Sequence, residues 1–290
     1  MTHMLPDFDA LWNYDDPAAT ERRFRDLLPA AQSSGDSAYL AQLMTQIARS
    51  EGLQRRFDAA HRTLDQVEAL LPADPTTATV RCLLERGRVF NTSGRPADAR
   101  PLFLSALEAA QEIGEDGFAV DAAHMMGIIE PAEEALAWNL RALALAESSP
   151  QPRARRWLGS LYNNIGWLYH DMEDFEHALD VFQKALARRE QDGDPNPIRI
   201  AKWCVGRTLR SMSRVDEALE VQRALQVEHE AAGTGDGYVD EELGECLLAQ
   251  GNLAAAQPHF ARAYAALSQD TWLASHDSAR LDRLRQLGSA

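Results

Sequence analysis

The chain has 290 residues, of which 45% are hydrophobic and 25% charged, and 44 acidic against 29 basic residues give a formal net charge of -15. The composition is that of an ordinary soluble protein, the negative charge works against general attraction to nucleic acid or anionic lipid, and no apolar run approaches the ~18 residues of a membrane span. Neither nucleic acid nor a membrane is an expected partner.

The opening stretch, MTHMLPDFDALWNYDD, has neither the basic segment nor the apolar core of an export signal, and the chain is expected to stay in the cytoplasm. Leu5, Phe8, Leu11 and Trp12 form a short apolar cluster, and Asp16-Pro17 reads as an N-cap with proline at the first helical position. A helix is expected from there to about Leu28. Ala-rich windows without β-branched runs favour helix throughout, so the fold class is all-α. The stretches LLPADPTT, EIGEDG, ESSPQP, DGDPNP and AAGTGDG carry the Pro, Gly and Asp that punctuate helices.

The clearest unit runs from Leu158 to Arg189. Tyr162, Ile165, Gly166 and Tyr169 fall on one face of a first helix, and Ala178, Phe182 and Ala185 on one face of a second. Between them lies an acidic turn, with Glu173 where a glycine would be usual. The pattern resembles a tetratricopeptide (TPR) repeat. Aligned on the second-helix alanine, copies stand at Ala60, Ala99, Ala135, Ala178, Ala218 and Ala256, in steps of 39, 36, 43, 40 and 38 residues, longer than the ~34 of the common unit. The column of Gly166 reads Ala48, Gly87, Ala123, Gly166, Gly206 and Gly244, all small, as close helix crossing requires. In the Phe182 column, Asn139 and Gln222 mark the degenerate copies. Pro101 and Pro258 fall inside second helices and are expected either to kink them or to delay their start.

The resemblance covers about residues 17–290 and implies a right-handed α-solenoid of antiparallel helix pairs. An N-terminal cap and half repeat occupies 1–40. Six repeats follow at about 41–74, 80–113, 116–149, 159–192, 199–232 and 237–270. A capping helix with Leu281, Leu284 and Leu287 in a stripe fills 271–290. With only Lys184 and Lys202 as lysines among many arginines and alanines, the composition suggests a GC-rich bacterial genome.

No motif for catalysis stands out, and the chain is not expected to be an enzyme or to carry a cofactor or metal. His170, Asp171, Glu173, Asp174, Glu176 and His177 are metal-ligand types, but they coincide with a turn and fit no ligand spacing. Asp192, Asp194 and Asn196 begin like a calcium loop, yet Pro197 and Trp203 stand at the positions of its turn Gly and closing Glu. Cys82, Cys204 and Cys246 each fall in a first-helix pattern, where a small apolar side chain is useful, and neither a disulfide nor a thiolate site is expected.

What remains is a binding surface. The NNIGWLY stretch is similar to first helices of TPR proteins such as kinesin light chains, where asparagines like Asn163 and Asn164 grip an extended peptide backbone. Counting one residue after each small-column position, three before it and one further turn out gives an inner stripe. It holds Thr45, Arg49, Arg81, Leu84, Arg88, Asn91, Val120, His124, Asn163, Trp167, His170, Trp203, Arg207 and Arg210. Five arginines and no acid stand on it until the last repeat, where Glu241 and Glu245 lie beside Tyr238. The expected function is a scaffold that holds an acidic or carboxylate-bearing peptide in a concave groove, with Arg as bidentate partner and tryptophans as anchors. The alternatives are a structural homo-oligomer formed through the groove and, third, an enzyme.

Overall fold

The computed structural model describes residues 5–289. Met1–Met4 and Ala290, the outermost residues of the expected caps, lie outside the described residues.

Many of the helices start where a side chain supplies the cap. After a 3₁₀ turn at Phe8–Leu11, α1 spans Pro17–Ser34, with Asp16 accepting from the Ala19 amide at 2.8 Å. Then come α2 Ser37–Leu53, α3 Phe57–Glu68, α4 Thr77–Thr92, α5 Pro96–Glu112, α6 Asp116–Ile129, α7 Ala132–Ser148 and the single turn α8 Pro152–Arg155. Helix α9 spans Leu158–Asp171, α10 Phe175–Asp192, α11 Pro195–Ser211, α12 Val215–Ala231, α13 Gly237–Ala249, α14 Leu253–Leu267, α15 Thr271–His276 and α16 Ser278–Ser289. Asp36, Thr76, Asp174, Asp194, Asp236, Asn252 and Asp270 cap helix N-termini with their side chains.

The chain forms two compact units, one ending at Leu161 and one beginning at Tyr162. In the first, the pairs α2/α3, α4/α5 and α6/α7 stack in order, with α1 packed on α2 and the first helices α2, α4 and α6 side by side. In the second, α10 packs on α11, the pairs α11/α12 and α13/α14 follow, and α16 covers α14. Each unit is an all-α stack of helix pairs, the solenoid arrangement.

The core repeats with the sequence. Ala60, Ala99, Ala178, Ala218 and Ala256 are wholly buried, as are Leu64, Phe103, Phe182 and Phe260 four residues after an alanine of that column. Gly87, Gly166 and Gly244 lie against the rings of Phe103, Phe182 and Phe260, where any Cβ would collide. Asn139 and Gln222 stand in the same column, and both are buried. Asn139 folds its amide back onto the carbonyl of Ala135 at 2.8 Å, and the close glycine there is Gly127, one turn beyond Ala123.

Helix α1 continues past Leu28 through Pro29 to Ser34 and stops at Gly35, whose φ of 75° ends it. Neither Pro101 nor Pro258 delays its helix: α5 begins at Pro96 and α14 at Leu253, so each proline falls in the second turn. The turn inside a pair uses one left-handed residue except in α6/α7, where Glu130 and Pro131 are both extended. Gly94 and Gly251 take it in two pairs, and Arg55, Glu173 and Ser213 take it in three others with φ of 59°, 61° and 60°. In each, the next amide reaches back five residues, as Asp174 N does to Tyr169 O at 2.9 Å, which closes a Schellman turn.

Candidate functional site

First helices within a unit meet edge to edge, and their facing side chains form ionic rungs. Arg49 on α2 reaches Glu85 on α4 at 3.1 Å, and Arg88 on α4 reaches both Glu85 at 2.6 Å and Asp121 on α6 at 2.5 Å. In the second unit Arg210 on α11 holds Glu242 on α13 through two bonds of 2.6 and 2.9 Å, and Arg207 joins at 3.2 Å. Helix α16 repeats the device, with Arg280 on Glu241 and Arg283 on Glu245. Glu85 and Glu242 have side chains only 6% and 4% exposed, so each arginine compensates a carboxylate that has lost most of its water. Burial opposes the charge on Arg88, but Asp121 and Glu85 outweigh it and hold the guanidinium protonated. At Arg207 burial dominates and lowers the guanidinium's pKa in spite of Glu242.

Glu85, Asp121 and Glu242 stand two residues before the small column, a position the inner stripe skips, so the stripe alone does not reveal them. That column reads Gln46, Glu85, Asp121, Asn164, Cys204 and Glu242. An arginine one after the small residue, followed by an acid two before the next small residue, is the signal that marks a rung. The inner surface of the first unit is therefore mixed in charge. Thr45 and Val120, counted on the stripe, are wholly buried.

In the first unit Arg49, Arg81, Leu84 and Arg88 line a chamber of about 630 Å³. Its further walls are Trp12 and Tyr14, Phe118 and Trp157, and the rim arginines Arg153 and Arg156. Asp7, Asp9, Glu85 and Asp121 supply its carboxylates. Arg153 lies over the Phe118 ring at 4.0 Å, its side chain 47% exposed. Asn91 and His124 do not line the chamber. The Asn91 carbonyl serves the turn at Gly94, and the His124 ring packs on Trp157 at 5.2 Å and approaches Asn139 at 3.4 Å. Burial, the leading effect, keeps His124 neutral.

In the second unit the rungs stand beside a row of aromatics. Trp167, Trp203 and Tyr238, one from each first helix, stand 6.0 Å apart in succession, and Trp203 Nε1 donates to the Tyr238 carbonyl at 3.1 Å. Trp203, Tyr238, Val239 and Ile200, the last 59% exposed, line an apolar pocket of about 380 Å³. Asn163 and Asn164 lie away from it, both half-buried, and Asn163 accepts from the Cys204 thiol at 3.7 Å. His170 pairs with Ser211 at 3.0 Å, and Arg207 donates to the same hydroxyl at 2.5 Å. Burial pushes the Cys82 and Cys204 thiols up to about 12, which keeps them protonated and unreactive at neutral pH. Among the described residues no group of three or more His, Cys, Asp or Glu is placed to hold a metal, and no helix is long and apolar enough to cross a membrane.

Family models described as tetratricopeptide repeat match residues 45–112 and 129–191, the first across α2–α5 and the second across α7–α10. These two stretches are tetratricopeptide repeats. Among curated proteins the chain is similar to the cell division cycle protein 16 homolog of Homo sapiens, with 29% identity over 157 residues, covering 51% of this chain and 23% of that protein. It thus spans under a quarter of that relative's length. A signal transduction ATPase with a tetratricopeptide repeat sensor from Pyrococcus horikoshii superposes with a TM-score of 0.72 at 16% identity, over 97% of this chain and 44% of that one. NprR, solved with its cognate peptide NprX, superposes with a TM-score of 0.54 at 16% identity, over 97% and 82%. At these identities the two structures show the TPR fold. Together the comparisons support a protein–protein interaction scaffold and point away from catalysis.

Proposed function

We propose that this scaffold holds an acidic or carboxylate-bearing segment of a partner protein against the first helices of its repeats, with the chamber of the first unit as the principal site. One observation carries the reading: five arginines converge on one chamber with aromatic walls, in a chain whose net charge is -15. Arg49, Arg81 and Arg88 are held by carboxylates in fixed orientation, while Arg153 meets Asp9 only at 3.7 Å and Arg156 is exposed with no ion pair among the described residues. Those two have donors to offer a ligand. The NprR complex supports the reading by analogy, since that protein of the same fold carries a peptide.

The test is fluorescence polarisation with a panel of short acidic and neutral peptides against wild type and the pair Arg153→Gln with Arg156→Glu. The acidic peptides are expected to bind, to weaken with salt, and to lose about tenfold or more in the double variant, whose changes strand no buried acid. Binding that ignores both salt and the double variant would overturn the reading.

A further inference from the structure

The segment Asp7–Tyr14, DFDALWNY, lies along the inner helices of the first unit as a bound peptide would. Both oxygens of Asp9 take the two terminal nitrogens of Arg81, and the guanidinium sits 5.3 Å over the Phe8 ring. Trp12 Nε1 donates to Gln46 Oε1 at 3.0 Å. Arg49 lies 5.8 Å over the Trp12 ring and 5.7 Å over Tyr14. The segment holds one four-residue 3₁₀ turn and a single buried side chain, Phe8, while Asp7, Ala10, Asn13 and Tyr14 are exposed.

Arg81 itself dictates what can replace this segment. Its side chain is 5% exposed and its Nε already lacks a partner, so removing Asp9 alone would leave a buried cation stripped of its bidentate carboxylate with nothing in its place. A competitor must bring a carboxylate to Arg81. To fill the remaining contacts it must also place an aromatic ring, three residues further on, at Gln46 and Arg49. Two of the chamber's four acids, Asp7 and Asp9, belong to the segment, so lifting it off leaves five arginines facing Glu85 and Asp121 alone.

Resting on the scaffold reading above, we propose that the segment Asp7–Tyr14 is an internal occupant of the partner site, and that the partner segment shares its chemistry: an acid beside one aromatic, with a second aromatic three residues after the acid. The internal copy then lowers apparent affinity by the fraction of chains in which it is docked.

The probe is a labelled synthetic peptide of residues 5–16, LPDFDALWNYDD, titrated by fluorescence anisotropy into the full-length chain. Phe8→Ala in the chain, which removes the internal copy's one buried anchor, is expected to bind the probe about tenfold more tightly than wild type. The same probe with Asn at its four Asp positions is expected not to bind. Equal affinity of wild type and Phe8→Ala, or equal binding of the Asp and Asn probes, overturns the proposal. Hydrogen exchange of the unaltered wild type gives an independent reading: amides of residues 8–14 are expected to exchange ahead of those in α2 and α4, and equal protection makes the segment a permanent wall and overturns it. If acidic peptides depend on Arg153 and Arg156 but the probe never binds Phe8→Ala, this inference falls and the scaffold reading stands. If the probe binds Phe8→Ala and the peptide panel ignores Arg153 and Arg156, the reverse holds.

Discussion

Gly166 presents its bare Cα to the ring of Phe182, and a methyl group there would stand 2.5 Å from Cε1. The pair fixes how closely α9 and α10 approach. Gly166→Ala is expected to cost about 1–3 kcal/mol by overpacking, and Phe182→Ala about 3–5 kcal/mol through the cavity left. In a Phe182→Leu background Gly166→Ala should cost measurably less, which a double-mutant cycle by urea denaturation will detect. Strict additivity would mean the two residues do not share the contact. Tyr169→Ala should cost less than Phe182→Ala, because Tyr169 is half-buried and stacks on His177 at the surface.

Glu173 occupies a left-handed conformation that disfavours a side chain, while its carboxylate contributes no hydrogen bond to the Schellman turn. Glu173→Gly should stabilise the chain, by about 0.5–1 kcal/mol after the entropy of the unfolded glycine is subtracted. Ser213→Gly should act in the same direction. A lowered urea midpoint for either variant would refute the assignment.

Glu242 is wedged between Arg207 and Arg210, which makes charge reversal of those arginines a stability experiment and not a binding one. Arg210→Ala is expected to cost about 3–5 kcal/mol by leaving a buried carboxylate half-compensated. Glu242→Gln in that background should recover most of it, and thermal melts followed by circular dichroism will report both. No recovery would show that the arginine acts through packing.

Protonation of His61, His124 and His170 is disfavoured in the folded chain, chiefly by burial and also by the neighbouring cations Arg86, Arg88 and Arg207 respectively. Their folded pKa values lie below the unfolded value of about 6.5, so stability is fully present above that pH and declines as the pH falls through the folded values. The melting temperature should fall between pH 7 and pH 5, before the carboxylates titrate. His124→Gln should reduce that fall. An unchanged slope would place the effect elsewhere.

The helix pairs, the small column and the aromatic column were legible because each follows from one-residue rules: a 3.6-residue period, a small residue where helices cross, a ring to fill the gap. Gly166 and Phe182 stand where those rules put them. The rungs were harder to read, since Arg88 and Asp121 belong to different repeats and only a register between repeats relates them. The docking of Asp9 on Arg81 was illegible, because no periodicity governs an irregular segment, and DFDALWNY gives no sign of which helices it will cross.

The rungs join residues about one repeat apart in sequence: 36 positions for Arg49 and Glu85, 33 for Arg88 and Asp121, 32 for Arg210 and Glu242. Such contacts keep contact order low and let each pair fold against its neighbour alone. Arg81 and Asp9 stand 72 positions apart. That contact skips a repeat, so it closes only after α2, α3 and α4 are in place, and once closed it couples elements that a nearest-neighbour array leaves independent. The segment that carries Asp9 thereby acts as a strap, and loosening it should broaden the melting transition of the first unit before it lowers the midpoint.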